Sequence, residues 1–322
     1  MARQFYHPGR WETSSGNHHL LKPVNEKIQP LSGDQITRLA LLGQTWGFLK
    51  YYHPLVAKGN FNWDWELLRM VPLAKNATDD GGFSETLLRW IDSLGVINPC
   101  SSCNTNIPDE ALTYNIDLAW MKDQHFINDL QQKLQFLLAN RHKGPGQYAQ
   151  YEGAGNIAVF GESEYKWRNG IYPIEGFRLL TLYRYWNIIH YFSPYKNIIG
   201  RNWNEILYEF IPKMAEAKDS LSYNTSLAQL INSVNDSHAS SYNPVIEKQF
   251  DGYLPVVTYF IGDELVVTGN YNDTLATKAG LQKGDVIEKV GGRTVKQLVE
   301  ERKPWPAAPP VDRPIILREN KP

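Results

Sequence analysis

Cysteine is nearly absent: of 322 residues only Cys100 and Cys103 carry a thiol. Two cysteines cannot staple a fold through a disulfide framework. An excess of one charge is missing as well. Thirty-three Lys and Arg against 34 Asp and Glu leave a net charge of −1, without the basic face that nucleic acid demands. No apolar run approaches the roughly 18–20 residues that cross a bilayer. The opening from Met1 to Trp11 is polar and aromatic, not the apolar stretch of a secretory signal. Rings, by contrast, are plentiful: ten Trp, 18 Tyr and 12 Phe in a chain that is 42% hydrophobic and 21% charged. That balance is ordinary globular usage and argues against long disorder. At roughly 100–200 residues per domain the length accommodates two or three domains.

The most informative organisational feature is an internal repeat at an offset of 140 residues. Arg38-Leu39, Trp46, Tyr51, Pro54, Asn62-Trp63, Leu67 and Pro72 return as Arg178-Leu179, Trp186, Tyr191, Pro194, Asn202-Trp203, Leu207 and Pro212. Without a gap, 15 of 58 aligned positions between 38–95 and 178–235 are identical. This reads as a duplication. Each copy reads as three helices, at 34–53, 62–78 and 83–94, then 174–192, 203–218 and 223–235. Ser32-Gly33-Asp34-Gln35 has the S-x-x-Q form of a capping box at the first start. The proline inside each middle helix is expected to kink it or start a new turn. Trp46, Trp63, Trp186 and Trp203 are read as core anchors rather than a ligand cage. A further amphipathic helix is expected from Asp123 to Asn140, and loops with a short hairpin over 143–170.

The texture changes after Tyr242. Pro255–Ile261 is β-rich, Gly262-Asp263 marks a turn and Glu264–Thr268 is β-rich again. Val290–Val295 reads as strand, glycine turn and strand, and Pro-rich sequence from Lys303 to Pro322 as a linker or extended strand. The resulting architecture is α+β, a duplicated helical region followed by a β module. Its segments are a polar arm (1–31), helical copy 1 (32–142), linking loops with helical copy 2 (143–245), the β module (246–302) and a Pro-rich linker (303–322).

The run Ala279-Gly280-Leu281-Gln282-Lys283-Gly284-Asp285-Val286-Ile287, continued through Val290-Gly291-Gly292, resembles the helix-to-strand core of bacterial PDZ domains. Such modules add an extended peptide to a sheet edge and hold its terminal carboxylate with backbone N–H groups. Gly252, Tyr253 and Leu254, just before the first strand, are the candidate carboxylate loop, although Pro255 offers no N–H. A PDZ-like spacer without ligand is the other reading.

Just after the repeat, Asn235-Asp236-Ser237-His238-Ala239 precedes the PDZ-like run. Helical region, D-S-H-A turn and PDZ module, in that order, resemble the tail-specific, or C-terminal processing, serine peptidases, and most of all their tricorn-core-like branch. The stretch Trp46-Gly47-Phe48-Leu49-Lys50-Tyr51-Tyr52-His53-Pro54 is similar to their N-terminal helical region. The resemblance covers roughly residues 36–305. It implies that His238 is the general base for a serine nucleophile and that Ser237 helps hold the network. An imidazole with pKa near 6.5 can accept such a proton at neutral pH. It also implies no cofactor, polypeptide substrates met through their C-termini, and a periplasmic, secreted or anchored protein whose signal has been trimmed. No G-x-S-x-G elbow occurs, and Ser233, Ser237, Ser240 and Ser241 are too close in sequence to His238 to serve. The chain stops at Pro322, where the resemblance places the start of a catalytic domain. It is therefore expected to be the non-catalytic part of a serine endopeptidase, inactive alone. The alternatives are a stand-alone PDZ-type binding protein and a helical module that binds carbohydrate or peptide through its aromatics.

Cys100-Ser101-Ser102-Cys103 admits loop thiols or a local disulfide, a zinc site completed by His125 or His142, or a redox pair. No metal site is expected. His53 and His190 lie near the ends of corresponding helices, where the helix dipole favours a histidine.

Overall fold

The computed structural model describes residues 28–101, 103, 116–152, 157–160, 172–236, 239, 243–248, 250–302 and 315–317. They form a mixed α+β protein of two compact units, the second comprising Tyr172 and the described residues after Glu216.

The first unit is helical. Its long elements are α1 (Gly33–Tyr52), α2 (Trp63–Lys75), α3 (Asp80–Ser93), α4 (Asn128–Ala139), α5 (Glu175–Phe192) and α6 (Trp203–Ala215). α1 begins where the capping box sits: Gln35 N–H donates to Ser32 Oγ at 3.2 Å and Ser32 N–H to Gln35 Oε1 at 3.0 Å. Asn62 and Asn202 cap α2 and α6. Pro72 and Pro212 neither end nor restart these helices. Each lies in the last turn, and its own carbonyl accepts the N–H of the C-cap residue, Asn76 or Glu216. A short antiparallel hairpin, β1 (Gln150–Glu152) and β2 (Ile157–Val159), precedes α5.

α1 packs on α2 and α5 on α6, with α1 also against α5 and α6, and α2 against α5. Each hairpin is locked by a reciprocal tryptophan pair. Trp46 Nε1–H donates to Trp63 O at 2.9 Å, and Trp63 Nε1–H to Trp46 O at 3.0 Å. Trp186 and Trp203 repeat both bonds at 2.7 and 3.0 Å. All four rings are buried, so each indole gains its area burial while its one polar atom stays paired.

Where α1 meets α5, Gly43 and Gly47 admit larger residues. A Cβ on Gly43 would lie 2.6 Å from the Tyr183 ring, and one on Gly47 1.8 Å from Asn187 Oδ1. Tyr183 Oη–H donates to Leu39 O at 2.8 Å and Asn187 Nδ2–H to Gly43 O at 3.1 Å. Ion pairs Arg184–Asp64 and Lys75–Glu175, the latter at 2.8 Å, tie α5 to α2.

The second unit contains α7 (Ser220–Asn232), α8 (Pro244–Glu247), α9 (Asp273–Lys278), α10 (Val295–Arg302) and strands β3 (Phe250–Tyr253) to β9 (Ile315–Leu317). β4 (Val256–Ile261), β5 (Glu264–Asn270) and β6 (Val286–Ile287) form an antiparallel sheet in that order, while β3 pairs β9 and β7 (Lys289–Val290) pairs β8 (Arg293–Thr294). Gly262, at φ 62°, makes the two-residue turn between β4 and β5. Gly280, at φ 70°, ends α9. Val295, expected in a strand, instead opens α10. Thr294 and Gln297 cap that helix reciprocally, Gln297 N–H to Thr294 Oγ1 at 3.2 Å and Thr294 N–H to Gln297 Oε1 at 2.9 Å. The core of this unit is Val256, Val267, Ala276, Ile287 and Val295, with Leu254, Leu265, Leu281 and Val290 packed against it.

Candidate functional site

The β-rich unit presents one sheet edge with an apolar face. Among the described residues β4 has β5 as its only partner. The hairpin closes at the pair Ile261–Glu264, so Phe260 and Thr258 turn their N–H and C=O groups away from β5. On the same strand Tyr259, Phe260 and Ile261 are 54%, 55% and 61% exposed. A strand whose ladder groups and large side chains both face solvent is a template for another strand. α10 follows in the same unit and packs against β8.

Of the residues singled out in sequence, His238 and Ser237 lie outside the described residues. The preceding Asn235 takes φ 51°, the one non-glycine residue with positive φ among those described, which turns the chain sharply as it leaves α7. Gly252 and Tyr253 fall within β3, opposite Ile316 and Ile315, with an irregularity between Phe250 and Gly252. Leu254 packs on the core, and Pro255 O accepts the N–H groups of Tyr271 and Asn272 at 2.9 and 3.1 Å.

Cys100 and Cys103 form a disulfide, so neither sulfur is a thiolate for zinc. Among the described residues no group of three or more His, Cys, Asp or Glu could hold a metal ion. His125 Nδ1 instead meets Asp123 Oδ1 at 2.5 Å.

His53 and His190 are fully buried rather than dipole-stabilised surface groups. Burial first, then the charge of Lys133, pushes His53 down to about 4. Burial, then the charge of Lys196, pushes His190 down to about 3, against an opposing pull from Asp117. Both rings are neutral. His53 Nδ1 accepts from Leu55 N–H at 3.2 Å, and His190 Nδ1 faces Lys196 Nζ at 3.4 Å. Each therefore carries its proton on Nε2; that of His53 has no partner among the described residues, whereas the His190 ring meets the Asp117 backbone.

Sequence reasoning passed over Lys50, which is 1% exposed. Its Nζ lies 4.7 Å from the Trp46 ring centre and 5.0 Å from that of Tyr148. The signal available was its position four residues after Trp46, one helical turn on.

Comparison with protein-family models, with curated proteins and with solved structures finds no match. Among the described residues no helix is long and apolar enough to cross a membrane.

Proposed function

We propose that this chain is the N-terminal, substrate-engaging part of a serine endopeptidase of the C-terminal processing type. Its helical region is a duplication, and its β-rich unit is a PDZ-like module that captures extended polypeptide C-termini. The observation that supports this reading best is the open edge of β4, with outward ladder groups at Thr258 and Phe260 beside exposed apolar side chains. The identical tryptophan pairing at Trp46–Trp63 and Trp186–Trp203 supports the duplication. The D-S-H-A turn supports His238 as general base and Ser237 as its neighbour, serving a serine outside these residues. The disulfide favours an oxidising compartment, in keeping with a periplasmic or secreted protein.

The test is fluorescence anisotropy with labelled peptides. Peptides with free C-termini should bind at micromolar concentration, and amidation should weaken them about tenfold through loss of a charged hydrogen-bonded group. Phe260→Pro, which removes an outward N–H, should abolish binding while leaving the melting of the helical unit unchanged. Equal affinity for amidated peptide would count against carboxylate capture, undiminished binding by Phe260→Pro would count against the β4 edge, and no binding at all would leave the spacer reading. In the full-length enzyme His238→Ala should abolish turnover, and wild-type turnover would remove His238 from the mechanism.

A further inference from the structure

The helical unit holds a cavity of about 260 Å³ at the C-terminal ends of α1 and α5. Tyr51 and Tyr52 of α1 and Tyr191 and Phe192 of α5 form one wall. Their rings interlock, Tyr51–Tyr191 at 5.4 Å, Tyr51–Phe192 at 4.9 Å and Tyr52–Tyr191 at 5.6 Å. The other wall is the segment 141–151, bringing Arg141, His142, Tyr148 and Tyr151.

That segment is held in place. His142 N–H donates to Tyr52 O at 2.7 Å, Gln147 N–H to Ala57 O at 2.7 Å, and Tyr148 Oη–H to Phe61 O at 3.1 Å. The disulfide loop braces its root: Cys100 N–H donates to Asn140 Oδ1 at 2.7 Å, and Cys103 Sγ lies 3.3 Å from Arg141 O. The cavity is therefore preformed.

Three features define what it would take. The first is charge. Among the described residues Arg141 and His142 bring basic groups to the lining and no Asp or Glu lines it. Among the described residues Arg141 makes one side-chain hydrogen bond, Nη1–H to Leu138 O at 3.1 Å, leaving most of a planar fork suited to a carboxylate. Helix C-termini repel anions, yet here Tyr52 O and Ile189 O already accept N–H groups, from His142 and Ser193. The second is an orphan. Tyr191 is 8% exposed and its Oη has no hydrogen-bond partner among the described residues. A buried hydroxyl without a partner is costly, and one in a cavity wall is satisfied by what fills the cavity. The third is the lining itself, in which, among the described residues, five tyrosines outnumber one phenylalanine. Ring faces for stacking come together with hydroxyls for polar edges.

We propose that this cavity binds an acidic monosaccharide unit: a carboxylate on Arg141, on a polyhydroxylated ring that stacks on the tyrosines and pairs Tyr191 Oη. An apolar aromatic acid would leave that hydroxyl unpaired, and a neutral sugar would leave the Arg141 fork without an anionic acceptor. At about 30 Å³ per water the volume equals roughly nine waters, room for one such ring. The site does not depend on the peptide-binding reading.

The test is calorimetric titration of the whole chain with glucuronate, glucose and benzoate as separate probes. Glucuronate should bind saturably, and glucose and benzoate about tenfold or more weaker. Arg141→Met should cut glucuronate affinity about tenfold. Tyr191→Phe should cut it about fivefold, the loss of one neutral hydrogen bond, without lowering the melting temperature. The second variant keeps the test decisive should Arg141→Met fold poorly. Absence of saturable glucuronate binding, equal affinity for glucose or benzoate, or full affinity in either variant that retains its fold would overturn the proposal.

Discussion

At the C-terminal ends of α1 and α5, positions 140 residues apart carry different chemistry on the same scaffold. Lys50 sits over the indole of Trp46 at 4.7 Å. His190, its counterpart, stacks on Trp186 with ring centres 4.5 Å apart. One helix buries a cation against ring faces, and the other buries a neutral imidazole beside Lys196. The same division of labour recurs where the helices meet. Gly43 and Gly47 of α1 face Tyr183 and Asn187 of α5, which are their own counterparts at the offset of 140. The identical tryptophans close each hairpin, the identical Tyr51 and Tyr191 meet between α1 and α5, and the differing positions at Gly43, Gly47 and Lys50 fit one hairpin to the other and set the charge beside the cavity.

The strongest way to break the comparison is to remove its shared element. Trp46→Ala and Trp186→Ala should each cost about 3–5 kcal/mol, and the two losses should agree within about 1 kcal/mol if the pairs are equivalent. Urea unfolding measures both. A large inequality would show that one hairpin depends on the other.

The asymmetric contact comes next. Gly47→Ala puts a methyl group into Asn187 and should destabilise by about 2–3 kcal/mol. In a double-mutant cycle with Asn187→Ala the two losses should fall short of additivity by at least about 1 kcal/mol, because the second change opens space for the first. Full additivity would place the cost elsewhere, in the backbone of α1.

Acid sharpens the comparison with a smaller effect. His53 and His190 have folded pKa values of about 4 and about 3, below the unfolded value near 6.5. Between those limits the unfolded chain binds more protons than the folded one. Their contribution is thus fully present above about pH 6.5 and is lost as pH falls through the folded values. Two groups at about 1.4 kcal/mol per unit predict a loss of about 3 kcal/mol between pH 6.5 and 5. Replacing either with Gln should flatten the slope by roughly half, separating it from carboxylate protonation. An unchanged slope would mean that neither imidazole is held neutral.

The legible part of the fold was the local part. The S-x-x-Q run placed the start of α1 to the residue before it, and glycine punctuation located the β4–β5 turn. The start of α4 was misplaced at Asp123 because periodicity alone cannot see a competing turn. His125 N–H donates to Asp123 Oδ1 at 2.9 Å, and helix begins only at Asn128. Pro72 and Pro212 were expected to disturb their helices, but their distance from the helix end decides that, and each lies only three residues from it. For the candidate sites, the β-rich texture pointed to the strand whose edge is open. The cavity left no trace in sequence, since Tyr52, Arg141 and Tyr191 are far apart along the chain and share no motif.

By itself, then, the sequence determined the mixed α+β class, where several elements begin, and that identities recur at an offset of 140 residues. Caps, turns and periodicity act over a few residues, so they can be read from neighbours. Tertiary structure alone decided that Gly47 receives Asn187, that His53 and His190 lose their charge, and that an unpaired phenol and an arginine share one cavity. Those outcomes depend on which groups exclude water from one another across the fold, and no local pattern records it.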